Sequence, residues 1–150
     1  MNPLRLIDKV FKPSPIFAHC DIPCGIYKAE PSKTAAETVV KMVEKILDPP
    51  DIDEKDHASR VNYHNNMTRF VLIKEQHAEI CKREILILWT DFFKVEHLEK
   101  WPDLHDKVWK ACKLCSDNKR EVSIEKAKAL LSAVEEIGSI LEKAQASVKK

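Results

Sequence analysis

The chain predicts an all-α fold, an antiparallel four-helix bundle, preceded by an N-terminal hook rich in metal-capable residues. Three observations lead there. Only two of the 150 residues are glycine, while 44% are hydrophobic and 33% charged. That balance suits charged helices and not a turn-rich β architecture. Apolar residues recur at helical spacing through four segments, with no competing strand pattern and no internal repeat. The stretch PIFAHCDIPCGIY, residues 15–27, is different in kind, with two cysteines, a histidine, two prolines and one of the two glycines.

The first helix lies in EPSKTAAETVVKMVEKILDPP. Ser32 or Thr34 serves as its N-cap, with Glu37 completing a capping box after Thr34. Ala36, Val39, Val40, Val43, Ile46 and Leu47 give it an apolar stripe, and Pro49-Pro50 stops it. After a polar loop, helical spacing resumes over about 58–90, with Phe70, Ile73, His77, Ile80 and Ile87 on one stripe beside Leu72 and Leu88. Asn65-Asn66 leaves room for a break in this helix. A short segment, 95–101, leads to Pro102 in the first turn of a third helix carrying Leu104, Val108, Trp109, Ala111, Cys112 and Cys115. The last helix runs from Ser123 to about Val148 through Ile124, Ala127, Leu130, Leu131, Val134, Ile137, Ile140 and Leu141, with Gly138 inside it. Four amphipathic helices with short connections bury their stripes best as an antiparallel bundle.

Several function classes are disfavoured. A net charge of +1 argues against a nucleic-acid partner, and no apolar run reaches the length of a membrane span. The opening MNPLRLIDKVFKPSPIFA is interrupted by Asp8, Lys9 and Lys12, and Ile16 is too large for the small residue expected two places before Ala18. It is not an export signal, which makes the cytoplasm the expected location, and it is compatible with a leader removed by a dedicated protease. Five cysteines fit no simple disulfide framework, and a reducing compartment is expected.

His19, Cys20 and Cys24 form the densest ligand cluster. Pro23 and Gly25 make this stretch a tight hook that turns both sulfurs towards one point. Thiolates and imidazole select among transition metals. The residues alone leave three options open: a metal hook, a disulfide or idle pair of thiols, and a zinc site completed by Cys112 and Cys115.

HCDIPCGIY, residues 19–27, resembles the nickel hook of the nickel superoxide dismutase family, whose pattern is H-C-x-x-P-C-G-x-Y. The likeness continues through IKEQHAEI, LWTDFFK and HLEKWPDLH, covering most of 19–118. The resemblance implies cleavage between Ala18 and His19, which leaves residues 19–150 as the hook and bundle domain. It implies a nickel ion held by the amine of His19, the amide nitrogen of Cys20 and the thiolates of Cys20 and Cys24, with the His19 imidazole as axial ligand. Tyr27 would stand beside the open face of the metal, Asp21 and Pro23 would shape the hook, and Lys94 would steer the superoxide anion. The implied activity converts superoxide to dioxygen and hydrogen peroxide, in a homo-oligomer, a hexamer. The rival is a helical-bundle binding protein whose hook holds structural zinc or a disulfide.

The chain also departs from some members. Phe92 stands where some have a second tyrosine. Ala35 and His77 stand where some have an acid and an arginine supporting the axial histidine, which leaves Glu37 or His77 as substitutes.

Overall fold

The computed structural model describes residues 25–148. Five helices follow in order: α1 (Glu30–Leu47), α2 (His57–Ile87), α3 (Val95–Lys100), α4 (Leu104–Arg120) and α5 (Ile124–Val148). A π-helical turn, Leu88–Phe92, extends α2 towards α3. α1 packs on α2 and α5, and α4 packs on the same two. The four long helices therefore close a ring, the bundle that the periodicity predicts, and α3 adds one short helix within the α2–α4 connection. No described helix is long and apolar enough to cross a membrane.

The helix starts follow local chemistry, with one correction. α1 begins at Glu30 behind Ala29, which supplies no side-chain cap. Ser32 and Thr34 lie inside the helix, and the Ser32 hydroxyl donates to the Ala29 carbonyl at 2.8 Å. Pro31 explains the earlier start: its fixed φ suits the first turn, where its missing N–H is not needed. α2 is capped by Asp56, whose carboxylate accepts from the N–H groups of Ala58 (3.3 Å) and Ser59 (2.9 Å). α2 runs unbroken through Asn65-Asn66. Each asparagine costs under ~0.7 kcal/mol relative to alanine, too little to end a helix. Pro102 stands in the turn ahead of α4, not in its first turn. For α5 the Ser123 hydroxyl accepts from the Lys126 N–H at 3.2 Å.

The core lies between the four helices. Val39 and Val43 from α1, Cys81 and Ile85 from α2, Leu104 and Cys115 from α4, and Leu130, Val134 and Ile137 from α5 are all essentially inaccessible to solvent. Two stripes differ from expectation. On α2 the buried face is Lys74, Ala78, Cys81 and Ile85, while Phe70, Ile73 and His77 are half-buried and Ile80 is exposed. On α4 Trp109 is 55% exposed, because Val108 faces the core and the next residue lies about 100° further round the helix.

Lys74 is buried because its ammonium finds acceptors. Its Nζ donates to the carbonyls of Asn118, Lys119 (3.2 Å) and Glu121 (3.3 Å), closing the C-terminal end of α4. Burial pulls its pKa below the usual lysine range, while these carbonyls and the negative helix end hold the charge in place. Ion pairs at 3.0 Å cross the outside of the bundle, Lys33–Glu135, Lys107–Glu136 and Lys119–Glu79. Such exposed pairs contribute little, so apolar burial holds the bundle together.

Candidate metal centre

The chain enters the bundle through Gly25, whose φ of 95° is a conformation that side chains disfavour. The positive φ allows a sharp turn directly after Cys24. Two residues later Tyr27 is buried at 6% exposure, and its carbonyl accepts from Gln145 Nε2 of α5 at 2.8 Å. Its ring leans on Phe92, with centroids 5.6 Å apart at 59°. The base of the hook is thus fixed on two sides.

Phe92 is presented by the π-helical turn. The Phe93 N–H reaches back to the Leu88 carbonyl at 3.0 Å, an i to i+5 closure. The extra residue re-aims the side chains that follow, as such turns do at many functional sites. Phe92 meets Phe93 edge-on at 5.2 Å and stacks on His97 at 5.4 Å and 12°. His97 in turn fixes the backbone of Lys94. Its Nδ1 accepts the Lys94 backbone N–H at 2.9 Å, and the His97 backbone N–H donates to the Lys94 carbonyl at 2.9 Å. Lys94 itself is exposed, two residues from the ring that packs on Tyr27. Tyr27 and Lys94 therefore belong to one end of the bundle, joined by Phe92 and His97. The sequence assigned His97 no role. Its position three residues after Lys94, at the start of a short helix, was the available signal.

His19, Cys20, Asp21, Pro23 and Cys24 lie outside the described residues. Among the described residues no group of three or more histidines, cysteines or acids is placed to hold a metal. The three remaining thiols are packing residues. Cys81 and Cys115 are fully buried between α2 and α4. A hydrogen bond with Cys81, then burial, raises the Cys115 pKa far above the thiol range. Burial, then the neighbouring Cys115, pushes Cys112 up to about 11. Cys115 faces the core beside Cys81, and Cys112 is half-buried on the same helix, so both serve the packing between α2 and α4. The donors in the hook sequence, two cysteines and a histidine, suit a soft transition metal such as nickel by their chemistry.

The two suggested supports for the His19 ring separate. Glu37 faces the groove between α1 and α5, with Lys33, Glu135 and Glu142. His77 shares a depression with Ala35 and Lys28.

Comparison with known proteins agrees with this geometry. The family model described as nickel-containing superoxide dismutase matches residues 14–145. Superoxide dismutase [Ni] of Streptomyces coelicolor is 36% identical over 104 residues, covering 69% of this chain and 70% of that protein. Superoxide dismutase [Ni] of Streptomyces seoulensis is 31% identical over 136 residues, covering 90% and 95%. Among solved structures, a nickel-containing superoxide dismutase with ligation corresponding to the oxidised state superposes with a TM-score of 0.72 at 30% identity, covering 85% of this chain and 99% of that one. The native nickel superoxide dismutase structure gives 0.70 at 31% identity, with the same coverage. A bundle of this topology, with its hook motif intact, makes this chain a member of the nickel-containing superoxide dismutase family.

Proposed function

We propose that this protein converts superoxide to dioxygen and hydrogen peroxide with nickel held by its own mature N-terminus. Family membership makes it a nickel-dependent oxidoreductase. The proposal adds the placement: the amine and imidazole of His19, the amide nitrogen of Cys20, and the thiolates of Cys20 and Cys24. The observation that carries it is continuity. The HCDIPCG run ends in the positive-φ Gly25 and passes directly to Tyr27, which is anchored on Phe92 and Gln145.

The chemistry nickel supplies when bound is one-electron exchange with superoxide between its divalent and trivalent states. The chain's residues make that exchange accessible. Anionic sulfur and amide donors push electron density towards the metal and stabilise its higher oxidation state. Asp21 and Pro23 hold the hook's shape. Tyr27 orders substrate or water at the open face. Its ring neighbour is Phe92, so the hydroxyl of the second tyrosine found in some members is missing from that contact. Lys94, exposed at the same end, attracts the superoxide anion. Two superoxide anions and two protons give one dioxygen and one hydrogen peroxide, the protons coming from water or nearby groups.

Residues 1–18 act as a leader that a processing protease removes. This agrees with 85% of the chain spanning 99% of the solved enzyme. The interrupted apolar stretch of that leader supports a cytoplasmic location, which cell fractionation checks. Large apolar side chains left exposed on α2 to α4, among them Leu72, Val95 and Trp109, support assembly of copies into a hexamer. The placement is tested with Cys20→Ser and Cys24→Ser. Each is expected to lose nickel and at least a hundredfold of activity while circular dichroism shows an intact bundle; nickel and activity retained in either variant would refute it.

A further inference from the structure

At the end of the bundle that carries Tyr27 and Lys94, one half-buried side chain has no part in the mechanism above. His97 stands in the first turn of α3, where Val95 and Glu96 are exposed, so of the first three residues only His97 reaches inward. Its ring lies nearly parallel to Phe92, with centroids 5.4 Å apart at 12°, and meets Phe93 edge-on at 5.8 Å. Trp101 adds a third ring, tilted, at 6.4 Å. Phe92 in turn leans on Tyr27. Aromatic contacts of this kind have preferred geometries, so they orient the rings as well as burying them.

The same imidazole holds the backbone. Phe93 and Lys94 form an extended step between the π-helical turn and α3, with φ −72° and ψ 138° at Phe93 and φ −127° and ψ 172° at Lys94. Successive side chains of extended backbone point opposite ways, so Phe93 enters the core at 8% exposure while Lys94 turns to solvent. His97 Nδ1 accepts the Lys94 backbone N–H, and the His97 backbone N–H returns to the Lys94 carbonyl. Six residues are too few for α3 to hold its own shape, so this reciprocal pair decides where Lys94 stands. Glutamate or glutamine usually fills this capping position. A glutamate would set a negative charge against the pull of Lys94 on an anion. A neutral imidazole caps without that charge and offers Phe92 a flat face.

We infer that His97 is the positioning residue for Lys94: its Nδ1 fixes the Lys94 backbone in register with the Phe92 and Tyr27 rings, so the lysine charge is held at the substrate's approach. This rests on the steering role proposed above for Lys94.

The test measures the second-order rate constant with superoxide across ionic strength, in processed enzyme of equal nickel content. Salt screens a charge that steers substrate, so a change in slope between variants reads the placement of Lys94. His97→Phe keeps a ring for Phe92 but has no acceptor. It is expected to slow the reaction about fivefold at low ionic strength, part of the roughly tenfold or more that steering supplies, with a flatter salt dependence. His97→Leu repeats the measurement should phenylalanine misfold. His97→Gln, whose amide oxygen accepts the same bond at this position, is expected to restore both rate and slope. In a Lys94→Met background, which already lacks the charge, His97→Phe is expected to add no further loss. Unchanged rate and slope in His97→Phe overturn the inference, as does an equal loss in His97→Gln or a full additional loss on Lys94→Met. If Lys94→Met itself changes neither rate nor slope, the steering role fails and the inference falls with it. If Lys94→Met responds and His97→Phe does not, the steering stands and only the role of His97 is refuted.

Discussion

Lys74 carries a full charge into the interior at 2% exposure, and it does so because three carbonyls at the end of α4 await it. Removing the ammonium leaves those carbonyls without their donor, and hydrogen bonds to charged groups contribute ~1.5–3 kcal/mol. Lys74→Met is therefore expected to destabilise the protein by about 2 kcal/mol in urea unfolding, although methionine fills a similar volume. A loss below about 0.5 kcal/mol would show that water replaces the ammonium at no cost. The burial of Lys74 was not legible in the sequence. Its acceptor Asn118 lies 44 residues away, and an apolar count along α2 keeps Ile80 and discards the lysine. The family was legible because the types and spacing of HCDIPCGIY are local. The contact between Tyr27 and Phe92 was not, since it joins two segments brought together only by the bundle.

Gly138 of α5 marks a close approach to the residue that precedes α1. A Cβ placed there would stand 3.0 Å from the Cβ of Ala29, the residue linking Tyr27 to α1. Glycine within a helix costs ~1 kcal/mol relative to alanine, so its presence inside α5 is explained by this approach. Gly138→Ala gains that propensity and pays for overpacking of ~1–3 kcal/mol. The expected result is a net loss of about 1 kcal/mol with helicity unchanged and nickel retention reduced, because Ala29 moves with Tyr27. A higher melting temperature with full retention would contradict it. Periodicity located all four long helices and α5 almost to the residue. It placed the α1 start too late because Pro31 replaces a polar cap, and it missed the π-helical turn, whose single extra residue leaves no compositional trace.

At the scale of the whole molecule, the bundle serves as a frame for the proposed site, which the chain would supply from its own end. α1 and α5 hold the base of the hook through Ala29, Gln145 and Tyr27, while the turn after α2 contributes Phe92 and the backbone position of Lys94. Cys81 and Cys115 are buried between α2 and α4 and Cys112 is half-buried beside them, so these three thiols serve packing. If nickel uses the amine of His19, as proposed, the site cannot form while residue 18 is attached, so processing would precede metal binding. Native mass spectrometry of enzyme produced with nickel tests this most directly, because chain mass, metal and subunit number are read together. The expected species is a hexamer of chains beginning at His19, each with about one nickel, and no nickel on any chain that keeps residues 1–18. Nickel bound stoichiometrically to unprocessed chains would contradict the dependence on the new N-terminus.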